Sequence, residues 1–254
     1  MSLLDSIHKG KASKPPRLMV YGGEGVGKST FASTLPDPIF IDTEGGLANI
    51  DTSAFPTAKS LKDVTDALDA LLNEQHSYAT VCIDSLDWLE RLNWDDVCKR
   101  FGVTNIEKAD GGYGKGYSHA LNGWRDVLNK LERLRLERGM IVCMLAHGKV
   151  EKVEDPILGT YDRWSPRLHK LANAVVCEWV DAILYAFRKT LVTKDKDGNT
   201  TGVMAMGANG GTRMLRVTGG PACVAKTRFS IVDKDGHPLD EIPLSWDELK
   251  KYIP

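Results

Sequence analysis

The chain has 254 residues and a formal net charge of -1, with 42% hydrophobic and 26% charged residues. That balance fits a globular α/β protein with a sizeable core and excludes a uniformly basic surface, though a local basic groove remains compatible with it. Five scattered cysteines without C-x-x-C spacing argue against a zinc site and fit a reducing compartment. The N-terminal MSLLDSIHKGKASKPPR lacks a long apolar stretch and a small-residue cleavage site, so residues 1–16 read as a flexible leader. No apolar run approaches the roughly 18 residues of a membrane span, so the chain is expected in the cytoplasm, with no membrane partner. RLMVY (17–21) predicts a buried strand, followed by a glycine loop and a helix from about residue 28 to 35. PIFID (38–42) and ATVCID (79–84) predict further strands, with a helix over 60–73 between them that is capped by Ser60. Two helical stretches flank GGYGKGY (111–117), and MIVCMLAH (140–147) predicts a fourth strand. Residues 148–164 read as polar and irregular, 168–176 as helix, and VDAILYAF (180–187) as a fifth strand. Beyond residue 188 short β-type runs alternate with the turn signals KDKDGN, GANGGT, TGGP and DKDGHP. The whole predicts one domain over 17–254, with a mostly parallel sheet flanked by helices and a β-rich antiparallel extension over about 188–254.

The segment GGEGVGKS (22–29) fits G-x-x-x-x-G-K-[ST] between a predicted strand and a predicted helix, the context a phosphate-binding loop needs. Its glycines allow close backbone approach and positive φ angles. The amides of Gly22, Gly23, Glu24, Gly25, Val26, Gly27, Lys28, Ser29 and Thr30 can then cradle phosphate oxygens at the start of a helix. Lys28 supplies a charge to the β- and γ-phosphates, and the Ser29 hydroxyl faces Mg2+. Asp84, ending an apolar strand, is the expected partner carboxylate for that ion, with Ser85 a weaker candidate behind it. Glu44 follows PIFID, a strand expected to lie next to the loop's own strand, where a carboxylate can polarise the attacking water. Asp42 is the nearby competitor and would support the metal shell. His147, ending a buried strand, can report the γ-phosphate through one imidazole hydrogen bond. Lys226 and Arg228 lie two apart on a predicted strand, so they share a side, as a basic finger would require. These residues make ATP and Mg2+ the expected ligands, with adenine or guanine left open.

FIDTEGGLANI, VCIDSLDWL and MIVCMLAHG resemble three strands of RecA-like P-loop NTPases, and VAKTRFS (224–230) partly resembles the K-x-R-[FN]-G run of RadA-type and DnaB-type proteins. The layout is similar to that of the phage nucleotide-binding proteins of the Sak group. The resemblance implies a RecA-like ATPase core with Glu44 as catalytic base and His147 where RecA has a glutamine. It also implies Lys226 and Arg228 reaching into a neighbour's site in a ring or filament. It implies action with single-stranded DNA in phage recombination or annealing, in a host cytoplasm, alongside a single-strand-binding protein. Residues 111–117, with Tyr113, Tyr117, Lys108 and Lys115, and a second loop with Lys149, Lys152, Tyr161, Arg163, Trp164 and Arg167, would then face DNA. The second loop also carries Glu151, Glu154, Asp155 and Asp162, which would repel phosphates. The alternative reading is a nucleotide-binding assembly or accessory protein with negligible turnover and no direct DNA binding. A nucleotide kinase fits less well, because no arginine-rich lid is visible.

Overall fold

A computed structural model describes residues 14–195, 200–207 and 211–253. The leader over 1–13 lies outside the described residues, as do parts of the KDKDGN and GANGGT turns. Strands β1 (Arg17–Gly22), β2 (Pro38–Asp42), β3 (Ser53–Ala54), β4 (Thr80–Asp84), β5 (Ile141–Asp155) and β7 (Ala182–Arg188) run parallel in one sheet. On the outer side of β7 the added strands are antiparallel: β10 (Arg213–Arg216) and β11 (Lys226–Thr227) pair with it, and β12 (Glu241–Pro243) pairs with β10. The full order is β12-β10-β7-β1-β5-β4-β2-β3. The mostly parallel sheet and the antiparallel C-terminal strands therefore match expectation.

The apolar strands are continuous because both sheet faces are covered. Met19, Tyr21, Val81, Ile83, Val142 and Met144 point to one side, under α2 (Leu61–Asn73), α3 (Leu86–Phe101), α4 (Lys115–Glu137) and α5 (Lys170–Trp179). Their alternates Leu18, Val20, Cys82, Cys143 and Leu145 pack on the other side against α1 (Lys28–Ala32) and the C-terminal strands. Each such side chain, fully buried, contributes about 1.5–3 kcal/mol. The five cysteines are free thiols. Among the described residues no helix is long and apolar enough to cross a membrane.

Two expectations fail. PIFID forms β2 but is not beside β1: β5 and β4 stand between them. Periodicity reports burial on both faces and carries no information on which strand is the neighbour. Residues 148–164 are also not irregular. Strand β5 continues beyond the sheet and pairs with β6 (Gly159–Pro166) in an antiparallel hairpin, from Gly148 opposite Pro166 to Asp155 opposite Gly159. Asp155 closes its turn by accepting from the amides of Ile157 and Leu158, each at 2.8 Å. A separate two-stranded ribbon, β8 (Thr190–Lys194) with β9 (Thr200–Ala205), completes the set.

Candidate nucleotide site

Strand β1 delivers the glycine loop to the C-terminal edge of the sheet. A side chain at Gly22 would stand 2.2 Å from the Ala186 carbonyl oxygen on β7, so only glycine allows the loop to start there. Gly27, at φ 103°, turns the chain into α1 through left-handed backbone that L side chains avoid. Buried Lys28 donates to the carbonyls of Gly22 and Gly23, at 3.2 and 3.0 Å, which hold its ammonium over the loop. Burial lowers its pKa, against the opposing charge of Asp84.

Ser29 Oγ donates to Asp84 Oδ2 at 2.5 Å, so the two expected magnesium ligands converge from α1 and the end of β4. Both are hard oxygen donors at the mouth of a phosphate cradle, which suits an ion that keeps several waters. Burial raises the Asp84 carboxyl pKa, with the Ser29 hydrogen bond opposing.

Glu44 reaches the same cleft although β2 is two strands further out than expected. Its route is fixed by Thr43, whose amide donates to the Asp84 carbonyl at 2.8 Å and whose hydroxyl donates to the Ser85 carbonyl at 2.8 Å. Glu44 Oε2 then accepts from Ser85 Oγ at 3.2 Å, and Oε1 stands 3.9 Å from His147 Nε2. Asp42, expected to support the metal shell, is engaged in the turn instead. Its Oδ1 accepts from the amides of Glu44 and Gly45 and its Oδ2 from Thr57, so it shapes the turn that carries Glu44.

His147 pairs in register with Gly22, which puts its ring at the root of the loop. Asp87, in the first turn of α3, accepts from the His147 amide at 3.0 Å and faces Nδ1 at 3.1 Å. It also accepts from Arg167 Nη2 at 2.7 Å. Burial alone would raise the Asp87 pKa, but hydrogen bonds from His147 and Arg167 hold it well below the usual carboxylate range. An ionised Asp87 keeps the proton on Nδ1 and leaves Nε2 facing Glu44.

A cavity of about 430 Å³ unites these groups: Lys28, Ser29, Thr30, Glu44, Asp84 and His147 line it, together with Arg213. Sequence reasoning missed Arg213 and Asp87. Arg213 Nη1 lies 2.7 Å from the point a Gly27 Cβ would occupy. Arg188, opposite it in register, donates to the Gly25 carbonyl at 3.2 Å.

Lys226 and Arg228 are not part of this cleft. They do share a side, both donating to the Glu178 carbonyl, and Arg228 pairs with Asp181 at 3.0 Å. Asp181 precedes β7 and accepts from the first residue of β1, so the pair lies at the opposite end of the sheet. The seven residues of β7 put that end about 20 Å away at about 3.3 Å per residue. Of the expected DNA-facing tyrosines, Tyr113 is fully exposed, but Tyr117 stacks on His169 at 4.0 Å between centroids.

A family model described as an AAA domain matches residues 14–229. The SPbeta prophage-derived uncharacterized protein YorG of Bacillus subtilis (strain 168) is 23% identical over 139 residues, covering 53% of this chain and 42% of that relative's length. Among solved structures, the RadB recombinase covers 84% of each chain at 14% identity, with a TM-score of 0.45.

Proposed function

The chain belongs to the AAA domain family, and from that premise we propose that it hydrolyses ATP with Mg2+ and acts on single-stranded DNA in a phage-type recombination or annealing reaction. The loop amides and Lys28 would hold the triphosphate, and Ser29 and Asp84 would hold a magnesium ion, which when bound would supply positive charge to the phosphates. Glu44 accepts the proton of the attacking water, steadied by Ser85. In this reading His147, with Asp87 at its Nδ1, senses the γ-phosphate's presence or loss. The single observation that carries hydrolysis is the convergence of Glu44 on the Ser29–Asp84 pair from a strand that does not touch β1.

Support for a DNA role is the hairpin that begins one residue after His147 and carries Lys149, Lys152, Tyr161, Arg163 and Trp164. The proposal includes self-association into a ring or filament, with Lys226 and Arg228 serving a neighbour's site; their separation from their own cleft is what supports it. One observation favours the second reading, a nucleotide-dependent accessory protein with negligible turnover and no direct DNA binding. Arg163 is paired with Glu151, Arg167 with Asp87, and Lys149 with the Leu168 carbonyl, so much of the hairpin's positive charge is already engaged.

ATPase rate with and without single-stranded DNA, at low salt, separates the two. A DNA-stimulated rate that Glu44→Gln abolishes while ATP binding persists supports the first. Measurable ATP binding with no turnover and no DNA binding favours the second and overturns the first.

A further inference from the structure

A second cavity, of about 180 Å³, adjoins the phosphate cleft and shares Gly27, Thr30 and Arg213 with it. Its other walls include Thr34, Leu244, Trp246 and Asp247. The direction in which a bound triphosphate lies follows from the strand order. Glu44, Asp84 and His147 stand on or just after β2, β4 and β5, all to one side of β1. The γ-phosphate belongs on that side. The α-phosphate and the nucleoside must leave in the other direction, toward β7, β10 and β12, where the second cavity opens.

The geometry points to this cavity as the nucleoside subsite, closed by the C-terminal segment around α6 (Trp246–Leu249). The inference rests on the phosphate-loop reading above. Half-buried Trp246 provides an aromatic wall on which a base can stack, which suits any base because each has a π-face. Asp247 lines the cavity with Oδ1 taken by Lys250 Nζ at 2.5 Å, so its Oδ2 is the acceptor offered to ribose hydroxyls. Arg213 stands at the shared wall, where its guanidinium meets the phosphates nearest the sugar. Trp246 and Asp247 lie beyond residue 229, where the family match ends, so the base and ribose contacts come from outside the matched region.

Isothermal titration with two ligands tests it: Mg2+ with ATP, which would fill both cavities, and Mg2+ with inorganic tripolyphosphate, which would fill only the first. The wild-type chain is expected to bind ATP at least about tenfold more tightly than tripolyphosphate, the scale of one base stacked on an aromatic ring. Trp246→Leu keeps an apolar side chain against the core while removing the ring, and should cost ATP about tenfold while leaving tripolyphosphate unchanged. Thr34→Phe, which fills the cavity from the opposite wall, should do the same. Unchanged tripolyphosphate binding also certifies that each variant is folded. Equal affinity of the wild type for the two ligands overturns the subsite and leaves the phosphate loop standing, as does an unchanged ATP affinity in both variants. Failure of the wild type to bind either ligand overturns the phosphate loop itself, and the subsite with it.

Discussion

Glu90 gives a measurement in which structure fixes both sign and size. It lies on α3, 4% exposed, and both carboxylate oxygens accept from one donor, the His169 amide, at 3.1 and 2.9 Å. Burial pushes its pKa up to about 7, against the help of that amide and of Lys149, and Asp87 three residues earlier adds a repelling charge. Its ordinary value is 4.5, so between about pH 4.5 and 7 the folded chain holds a proton that the unfolded chain has released. Stability contributed by this group is therefore full below pH 4.5 and is lost as pH rises through 7. The gap between 7 and 4.5, at about 1.4 kcal/mol per pH unit, amounts to about 3 kcal/mol. Glu90→Gln keeps an oxygen acceptor for the His169 amide and cannot ionise. Urea denaturation of both proteins from about pH 4 to 8.5 should show the variant gaining on the wild type by about 3 kcal/mol across that window. Histidine titrations common to both proteins cancel in the difference. A difference that stays flat with pH would refute the claim that this carboxylate is buried with so little compensation.

Other expectations follow from single contacts. Asp87→Asn should cost about 2 kcal/mol near neutral pH by weakening charge-assisted bonds to His147 and Arg167. Because the Asp87 pKa is depressed, that penalty should fade as pH drops through and below 3.8, which denaturation curves at acid pH would reveal. Gly22→Ala should lower stability by about 1–3 kcal/mol and abolish triphosphate binding, since its Cβ would meet the Ala186 carbonyl at 2.2 Å; a melting curve and a titration check both. If Arg228 serves a neighbour, mixing Arg228→Ala with Lys28→Ala should restore part of the ATPase rate that each lacks alone, and additive inactivity would exclude a shared site.

The loop and its immediate partners were legible because their chemistry is local. Gly22, Gly27, Lys28 and Ser29 are dictated by one stretch of backbone that must bend and approach an anion. The apolar runs of β1, β4 and β5 announced a sheet covered on both faces. What failed was neighbourhood. Glu44 lines the loop's cavity, but not by the adjacency to β1 that was expected, and the bond that delivers it, Thr43 to the end of β4, joins residues far apart in sequence. Arg213 arrives on an antiparallel strand whose position beside β7 nothing local encodes. Asp87 read as an ordinary acid in a helix first turn, and only the fold brings it under His147. The hairpin was hidden because its alternation sets charge against charge, Arg163 opposite Glu151 and Lys152 opposite Asp162, with few apolar residues to mark a face.

These misread contacts form one chain. Glu44 stands 3.9 Å from His147, His147 stands 3.1 Å from Asp87, and Asp87 accepts from Arg167 at 2.7 Å, one residue beyond the end of β6. The Glu44 side of the cleft and the foot of the hairpin thus share the buried Asp87 carboxylate, beside the bond that the Arg167 amide donates to the His147 carbonyl at 2.8 Å. A nucleotide can shift the hairpin only by as much as its own contacts differ between two arrangements. Turning the imidazole toward a phosphate strains the Asp87 hydrogen bond, and a bond to a charged group is worth about 1.5–3 kcal/mol. That amount changes a population ratio by roughly tenfold to a hundredfold. It is enough to bias a hairpin between two positions and too little to melt the sheet that carries it, so any nucleotide-dependent change should be confined to the hairpin and its foot.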